Sequence, residues 1–367
     1  MSRKIKFGGS DQSQFLQTVR DKTNFYFEKN NLSKKANWKM VLKSIILIGL
    51  LISLYGLLVF GHFHIFIHFL LAAGLGITMT LIGFNICHDA LHGSFSNKKW
   101  LNSSLGWLFN LIGANEYVWK ITHNQIHHTL TNIVDHDADL EVAPGIIRIN
   151  ATEEWKPIHR FQQFYSFMLY SLSSLSWFFK KDYMKFFDKT LREKRKNPPR
   201  SEYFKLFGYK ALYYTIFLII PLIVMPFAWY NILAILLVMH LAEGMVMGNI
   251  FQLAHLVEET DMPETHSNKS ISDPWAVHQM KTTANFARKN SFITSLFGGL
   301  NYQIEHHLFP NICHVHYPVI SDIVKDTAQE FGLPYHENTT FFGAVRSHYN
   351  FLKKMGKRPQ LKEVLAS

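Results

Sequence analysis

Apolar residues in this chain collect into four long runs, at residues 40–60, 65–87, 211–228 and 232–254, separated by strongly polar stretches. Each run is close to the roughly 20 apolar residues that a helix needs to cross the hydrocarbon core of a bilayer, so the pattern predicts four transmembrane helices. The connections at 61–64 and 229–231 have room only to turn and contain neither Lys nor Arg, which pairs the runs into two hairpins. Every long basic segment then falls on one side: Lys34, Lys35, Lys39 and Lys43 at the first run, and residues 180–200 with nine basic residues against three acidic. By the positive-inside rule that side is the cytosol, where both termini are expected.

Three further stretches, 100–119, 161–187 and 291–300, have intermediate hydropathy and are predicted as interfacial or partly buried helices. The second mixes Phe, Tyr and Trp with Lys, as a helix lying in the headgroup layer does. No repeat, low-complexity tract or Pro/Gly-rich linker divides the chain, and no charged-then-apolar signal pattern precedes the first run. The expected fold is an all-α integral membrane protein, four transmembrane helices in two hairpins with a cytosolic helical cap that carries the metal site. It is read as a cytosolic N-terminal arm (1–37), a single membrane domain (38–350) and a basic cytosolic tail (351–367). Composition agrees: the chain is 48% hydrophobic and 15% aromatic, yet its mean hydropathy is −0.01, the average of greasy runs and a polar remainder.

Candidate chemistry is concentrated in histidine. HDALH supplies His88 and His92, HNQIHH supplies His123, His127 and His128, and QIEHH supplies His306 and His307. On a helix, residues i and i+4 share a face, so His88/His92 and His123/His127 can each present two nitrogens to one ion. In the third cluster Gln303 stands three residues before His306 and is a candidate weak ligand. His255, just past the fourth run, is an eighth candidate imidazole; the plainer reading is a helix-end histidine bonding free carbonyls. With 20 histidines in 367 residues some pairs arise by chance, but three clusters at helical spacing are not a chance expectation. Imidazole sites suit iron, zinc, copper or nickel over calcium and magnesium, and residue types alone do not choose among the four.

Other polar groups are weighed in the same way. Asp135, His136, Asp137 and Asp139, in the loop 129–141, either orient ligand imidazoles from behind or form a solvated acidic loop. Trp275 and Gln279, at i and i+4 before the third cluster, are candidates for a place near the metal or the substrate. His240 and Glu243 lie inside the fourth run, where ionisable groups are costly unless paired or facing a cavity; a functional site and a helix–helix contact fit equally. Cys87 and Cys313 are too few for a cluster or a disulfide framework and read as small apolar packers. Gly74 and Gly76 lie in an apolar run without the strand–turn–helix context of a dinucleotide fingerprint, and no haem-binding HPGG occurs. Redox chemistry at the metals would therefore draw electrons from another protein. The net charge of +11 fits an acidic donor and anionic lipid headgroups alike; nucleic acid is not an expected partner.

In order and setting, HDALH, HNQIHH and QIEHHLFP resemble the membrane fatty acid desaturases, and the resemblance runs from about residue 38 to 318. It implies two non-haem iron ions at the cytosolic membrane surface, with O2 as co-substrate and His88, His92, His123, His127, His128, His255, His306 and His307 as ligands, joined by Gln303. Glutamine at the head of the third box is similar to front-end desaturases, which act between an existing double bond and the carboxyl end. Eukaryotic front-end members commonly carry a fused cytochrome b5 domain, which is absent here, so an external donor of cytochrome b5 or ferredoxin type is implied. The substrate would be a fatty acyl-CoA or acyl-lipid, and the location a bacterial cytoplasmic membrane or the endoplasmic reticulum. Competing readings are a hydroxylase or ketolase on the same scaffold, a zinc-dependent membrane hydrolase and, against the one-sided placement of the clusters, a metal transporter.

Overall fold

The computed structural model describes residues 5–8, 13–137, 139–140, 143–188, 197–265 and 270–359. Parts of the N-terminal arm, of the basic stretch 180–200, of the loop 129–141 and of the basic tail lie outside these. Among the described residues the chain is overwhelmingly helical, and strand pairing is confined to two short parallel pairs, Lys6–Phe7 with Ser270–Ile271 and Asn285–Phe286 with Glu337–Asn338. Four helices are long and apolar enough to cross a membrane: Trp38–Phe60, Ile65–Leu91, Arg200–Val224 and Trp229–His255.

The boundaries of these helices differ from the hydropathy reading in instructive ways. The third begins at Arg200, not residue 211, because Lys210 does not behave as a solvated charge. Its ammonium donates to Asp182 Oδ2 (2.7 Å), Gly113 O (2.6 Å) and Phe178 O (2.8 Å), so the helix runs through it unbroken. The turn before the fourth helix is at 225–228, not 229–231. Pro226 disfavours the helical basin for the residue before it, and Met225 is extended at φ −76°, ψ 136°. Trp229, Tyr230 and Asn231 therefore open the fourth helix. The 61–64 turn is as expected.

The first long helix flanks the second, and the second packs along the fourth. Their close approach depends on Gly76, where a Cβ would lie 2.1 Å from Met239 O; small residues at such crossings let backbones come together. One turn on, the Thr80 hydroxyl donates to Glu243 O (3.1 Å). His240 and Glu243 belong to a contact between helices: the Ser174 hydroxyl donates to Glu243 Oε2 (2.6 Å) and accepts from His240 Nδ1 (2.8 Å), while Tyr213 OH donates to His240 Nε2 (2.9 Å). A second core joins the amphipathic helix Ser13–Lys29 to Tyr317–Glu330 through Phe15, Val19, Ile320 and Val324.

The helix Phe341–Met355 closes the polar side of the molecule through His348, whose Nδ1–H donates to Leu256 O (2.6 Å) while Nε2 accepts from Tyr170 OH (2.9 Å). Burial pushes this imidazole down to about 4, with the Leu256 carbonyl opposing. The unfolded value is near 6.5, so the unfolded chain holds more protons between the two. The contribution of neutral His348 is fully present above pH 6.5 and is lost as pH falls through 4, up to about 3 kcal/mol. Stability of detergent-solubilised protein, followed by thermal melting against pH, is expected to decline across that window and to decline less in His348→Gln; an identical pH dependence in the variant would assign the effect elsewhere.

Candidate metal centre

Four chain segments deliver the candidate ligands to one place. His88 and His92 occupy the end of the second long helix, just after a π-turn at Gly83–Cys87. His123 and His127 lie on a second π-turn, Thr122–His127, and His128 opens the short helix after it. His255 is the last residue of the fourth long helix, and His306 and His307 sit on Gln303–Leu308. Single π-turns recur at functional sites, because the extra residue re-aims the side chains that follow.

The imidazoles form two groups. One nitrogen from each of His88, His92, His123 and His306 lies within 4.8 Å of the others, and the same holds for His127, His255 and His307. His128 stands between the groups, its ring centroid 4.8 Å from His92, 4.6 Å from His306 and 4.4 Å from His307. Gln303 is buried on the wall shared with His88, His123 and His306. Its Nε2 is spent on Leu300 O (3.0 Å), which leaves the amide oxygen as its remaining donor atom.

Their outward nitrogens are held from behind. His127 Nδ1–H donates to Asp137 Oδ2 (2.8 Å), His123 Nδ1 faces Asp139 Oδ2 (3.4 Å), His307 Nδ1–H donates to Gln279 Oε1 (2.8 Å), and His306 Nδ1 pairs with Tyr317 OH (3.3 Å). Such contacts fix the tautomer and turn the Nε2 lone pair inward. On the inner side, Nε2 of His88, His92, His123, His127, His128, His255, His306 and His307 is buried without a hydrogen-bond partner. Burial, reinforced by repulsion from neighbouring imidazoles, holds His92, His123, His128, His306 and His307 well below the ordinary histidine value, so these rings are neutral at pH 7 with lone pairs free. Burial opposes charge on His127 too, but the Asp137 carboxylate outweighs it and lifts that ring above the usual range. Convergent buried imidazoles with unsatisfied nitrogens fit a pair of transition-metal ions by the chemistry of their donors.

The acidic loop divides: Asp137 and Asp139 back the histidines, whereas Asp135, at φ 63°, is exposed. Gln279 touches His307, and Trp275 Nε1–H donates to His128 O (3.0 Å), so both lie at the histidine cluster. Cys87 and Cys313 both pack in the apolar core, and Cys313 makes a polar contact as well. Its thiol donates to Asp89 Oδ2 (3.0 Å), which also accepts from His314 Nδ1–H (2.8 Å). Sequence reasoning missed Asp89, His314, Tyr317 and Trp119, whose indole stacks on His123 at 4.4 Å. The adjacency of Asp89 to His88 and the i, i+4 spacing of Trp119 and His123 were the available signals, because the contacts of His314 and Tyr317 join residues farther apart in the chain.

Beside the histidines opens an apolar cavity of about 1310 Å³ including its mouth, with Phe109, Ile112, Trp119, Phe251 and Leu300 among its walls. Its lining reaches Lys181 and Lys185 toward the polar side, and Met79, Thr80 and Met247 within the second and fourth long helices.

Residues 66–339 match the family model for fatty acid desaturases. The chain belongs to the fatty acid desaturase family. It is accordingly an oxidoreductase, and its similarity to curated desaturases extends nearly end to end. The sn-1 linoleoyl-lipid 6-desaturase of Arthrospira platensis is 34% identical over 98% of this chain and 97% of its own length. The enzyme of the same name from a Synechocystis strain is 35% identical over 97% and 99%, and an acyl-lipid (8-3)-desaturase of Physcomitrium patens is 30% identical over 96% and 74%. Replacing Asp137 by Asn removes the carboxylate that orients His127, and is expected to weaken metal retention about ten- to a hundredfold; competition with a chelator, read as metal bound per protein, measures it, and unchanged retention would assign Asp137 a folding role alone.

Proposed function

We propose that this desaturase forms a carbon–carbon double bond in a lipid-linked acyl chain, at a front-end position, using O2 and two electrons from a separate donor of cytochrome b5 or ferredoxin type. The balance is –CH2–CH2– plus O2, two electrons and two protons, giving –CH=CH– and two waters. The observation that carries this reading is the set of buried imidazoles with unsatisfied nitrogens in the wall of an apolar cavity. An unactivated methylene is too inert for acid–base catalysis. Two iron ions, held by His88, His92, His123 and His306 on one side and His127, His255 and His307 on the other, with His128 between and Gln303 as a weak ligand, would supply the oxygen activation that its C–H bonds demand.

The protein's own part is orientation. Asp137, Asp139, Gln279 and Tyr317 keep protons on the outward imidazole nitrogens and so hold the rings in register. The cavity strips water from the acyl chain and restricts which carbons lie beside His88, His123 and His306; such positioning is worth several kcal/mol of barrier. The curated relatives named for lipid-linked acyl chains support an acyl-lipid over a coenzyme A thioester. The Lys-free turns at 61–64 and 225–228, with exposed Trp229 and Tyr230 beside the second, support placing them at the outer interface, and the termini and metal centre at the cytosolic face of the membrane.

His127→Ala and His307→Ala each remove an inward donor from the histidine cluster, outside the four long apolar helices. Cells expressing either variant are expected to insert the protein normally and to make no new alkene by fatty-acid methyl ester analysis, a loss of at least about a hundredfold, as for other residues that act as a unit. Retained desaturation would refute the ligand assignment. Hydroxy acids without alkenes from the unmodified protein would show that the scaffold performs hydroxylation instead.

A further inference from the structure

Two glycines in the cavity wall differ in what holds them there. At Gly248 a Cβ would lie 2.9 Å from Tyr170 Cβ and 3.1 Å from Tyr170 O, so close packing against a neighbouring segment requires glycine. At Gly83 a Cβ would meet nothing nearer than Ile112 Cδ1 at 3.8 Å and Phe109 Cε2 at 3.9 Å, ordinary contacts with two other side chains of the cavity wall. Its backbone is helical at φ −52°, ψ −53°, open to any L residue. Packing and conformation thus give no reason for glycine, although glycine inside a helix costs up to about 1 kcal/mol relative to alanine. What it does provide is empty space within the cavity.

Its position gives that space a meaning. Gly83 lies five residues before His88, at the start of the π-turn that leads into it, and Met79 lies about one turn deeper still. The cavity is lined by Lys181 and Lys185 beside Asp139 and Asp182, by His88, His123 and His306, and by Met79, Met247 and Glu243 within the second and fourth long helices. A polar headgroup belongs at the lysine end and a hydrocarbon tail at the other, so the segment beside Gly83 receives the part of the acyl chain beyond the reacting carbons. Resting on the desaturase reading above, we propose that Gly83 is a chain-length determinant: its missing side chain keeps open the passage between the metal centre and the deep end of the cavity. A larger residue would meet Ile112 and Phe109 across the passage and exclude long tails while short ones still fit.

The test uses the full chain expressed in a host fed a graded series of acyl chains with one cis double bond at carbon 9, from myristoleoyl to oleoyl, with products read as methyl esters and iron content of the purified protein as the check on folding. Gly83→Val is expected to lower the ratio of long-chain to short-chain desaturation about tenfold or more, the scale on which a surplus methylene discriminates in a pocket. Gly83→Phe lowers it further, and adding Ile112→Ala to Gly83→Val brings it back toward the starting ratio. An unchanged ratio in Gly83→Val with normal iron content overturns the proposal, as does an equal loss at all chain lengths that Ile112→Ala does not relieve. Should the bulkier variants fail to accumulate, Gly83→Ala, whose Cβ clears its neighbours, decides by a smaller shift in the same direction; a ratio identical to the unmodified protein overturns the proposal. If the unmodified protein makes no new alkene from any chain, the desaturase reading itself falls, and the inference with it.

Discussion

A buried polar atom without a partner costs about 1–3 kcal/mol, and this fold places many such atoms side by side. Partners could have been arranged for them, since the same histidines find Asp137, Asp139, Gln279 and Tyr317 on their other nitrogens. The inward nitrogens are left over by design of the backbone: two π-turns and two helix ends aim them at a common centre, where protonation is opposed by burial and by the neighbouring rings. Coordination of metal ions there would offset that uncompensated desolvation, and the packing around the rings holds them in place for it.

The contrast with a neighbouring cluster sharpens this. Asp89, Cys313 and His314 also bring three metal-binding atoms within 4.8 Å of one another, yet they satisfy each other. Asp89 accepts from the thiol and from His314 Nδ1–H, and Lys43 donates to His314 Nε2 (3.0 Å). Similar residue types, in similar burial, produce a closed hydrogen-bonded set in one place and an open donor set a few residues away. Residue type and spacing therefore say less about coordination than whether the lone pairs are already occupied.

That distinction marks how far the sequence could be read. Apolar runs and helical spacing of histidines made the four long helices and all eight imidazoles legible, because both are local properties of periodicity. Lys210 hid the true start of the third long helix, since its partners Asp182, Gly113 and Phe178 come from segments well before it in the chain. The roles of Asp137 and Asp139 were visible only as alternatives, and Cys313 was read as an apolar packer without its bond to Asp89, because a thiol's partner is a tertiary fact. The docking of the C-terminal helix by His348 onto Leu256 and Tyr170 left no trace in any pattern of one segment alone.

Lysines counted from the sequence as topology signals turn out to do mechanical work as well. Lys35 Nζ donates to Gly93 O (2.8 Å), just past the first histidine box, and to Asn311 O (3.2 Å), just past the third, while Cys313 N–H donates to Lys34 O (2.9 Å). Lys43 reaches His314 and, through it, Asp89 between His88 and His92. The segment leading into the first long helix thus ties the end of box one to the end of box three. Apolar helices sliding in lipid have few directional contacts to fix their depth, since lipid tails are as apolar as leucine. Charged donors where the first apolar helix begins supply that direction, so Lys35 and Lys43 help to set the register in which the histidines meet.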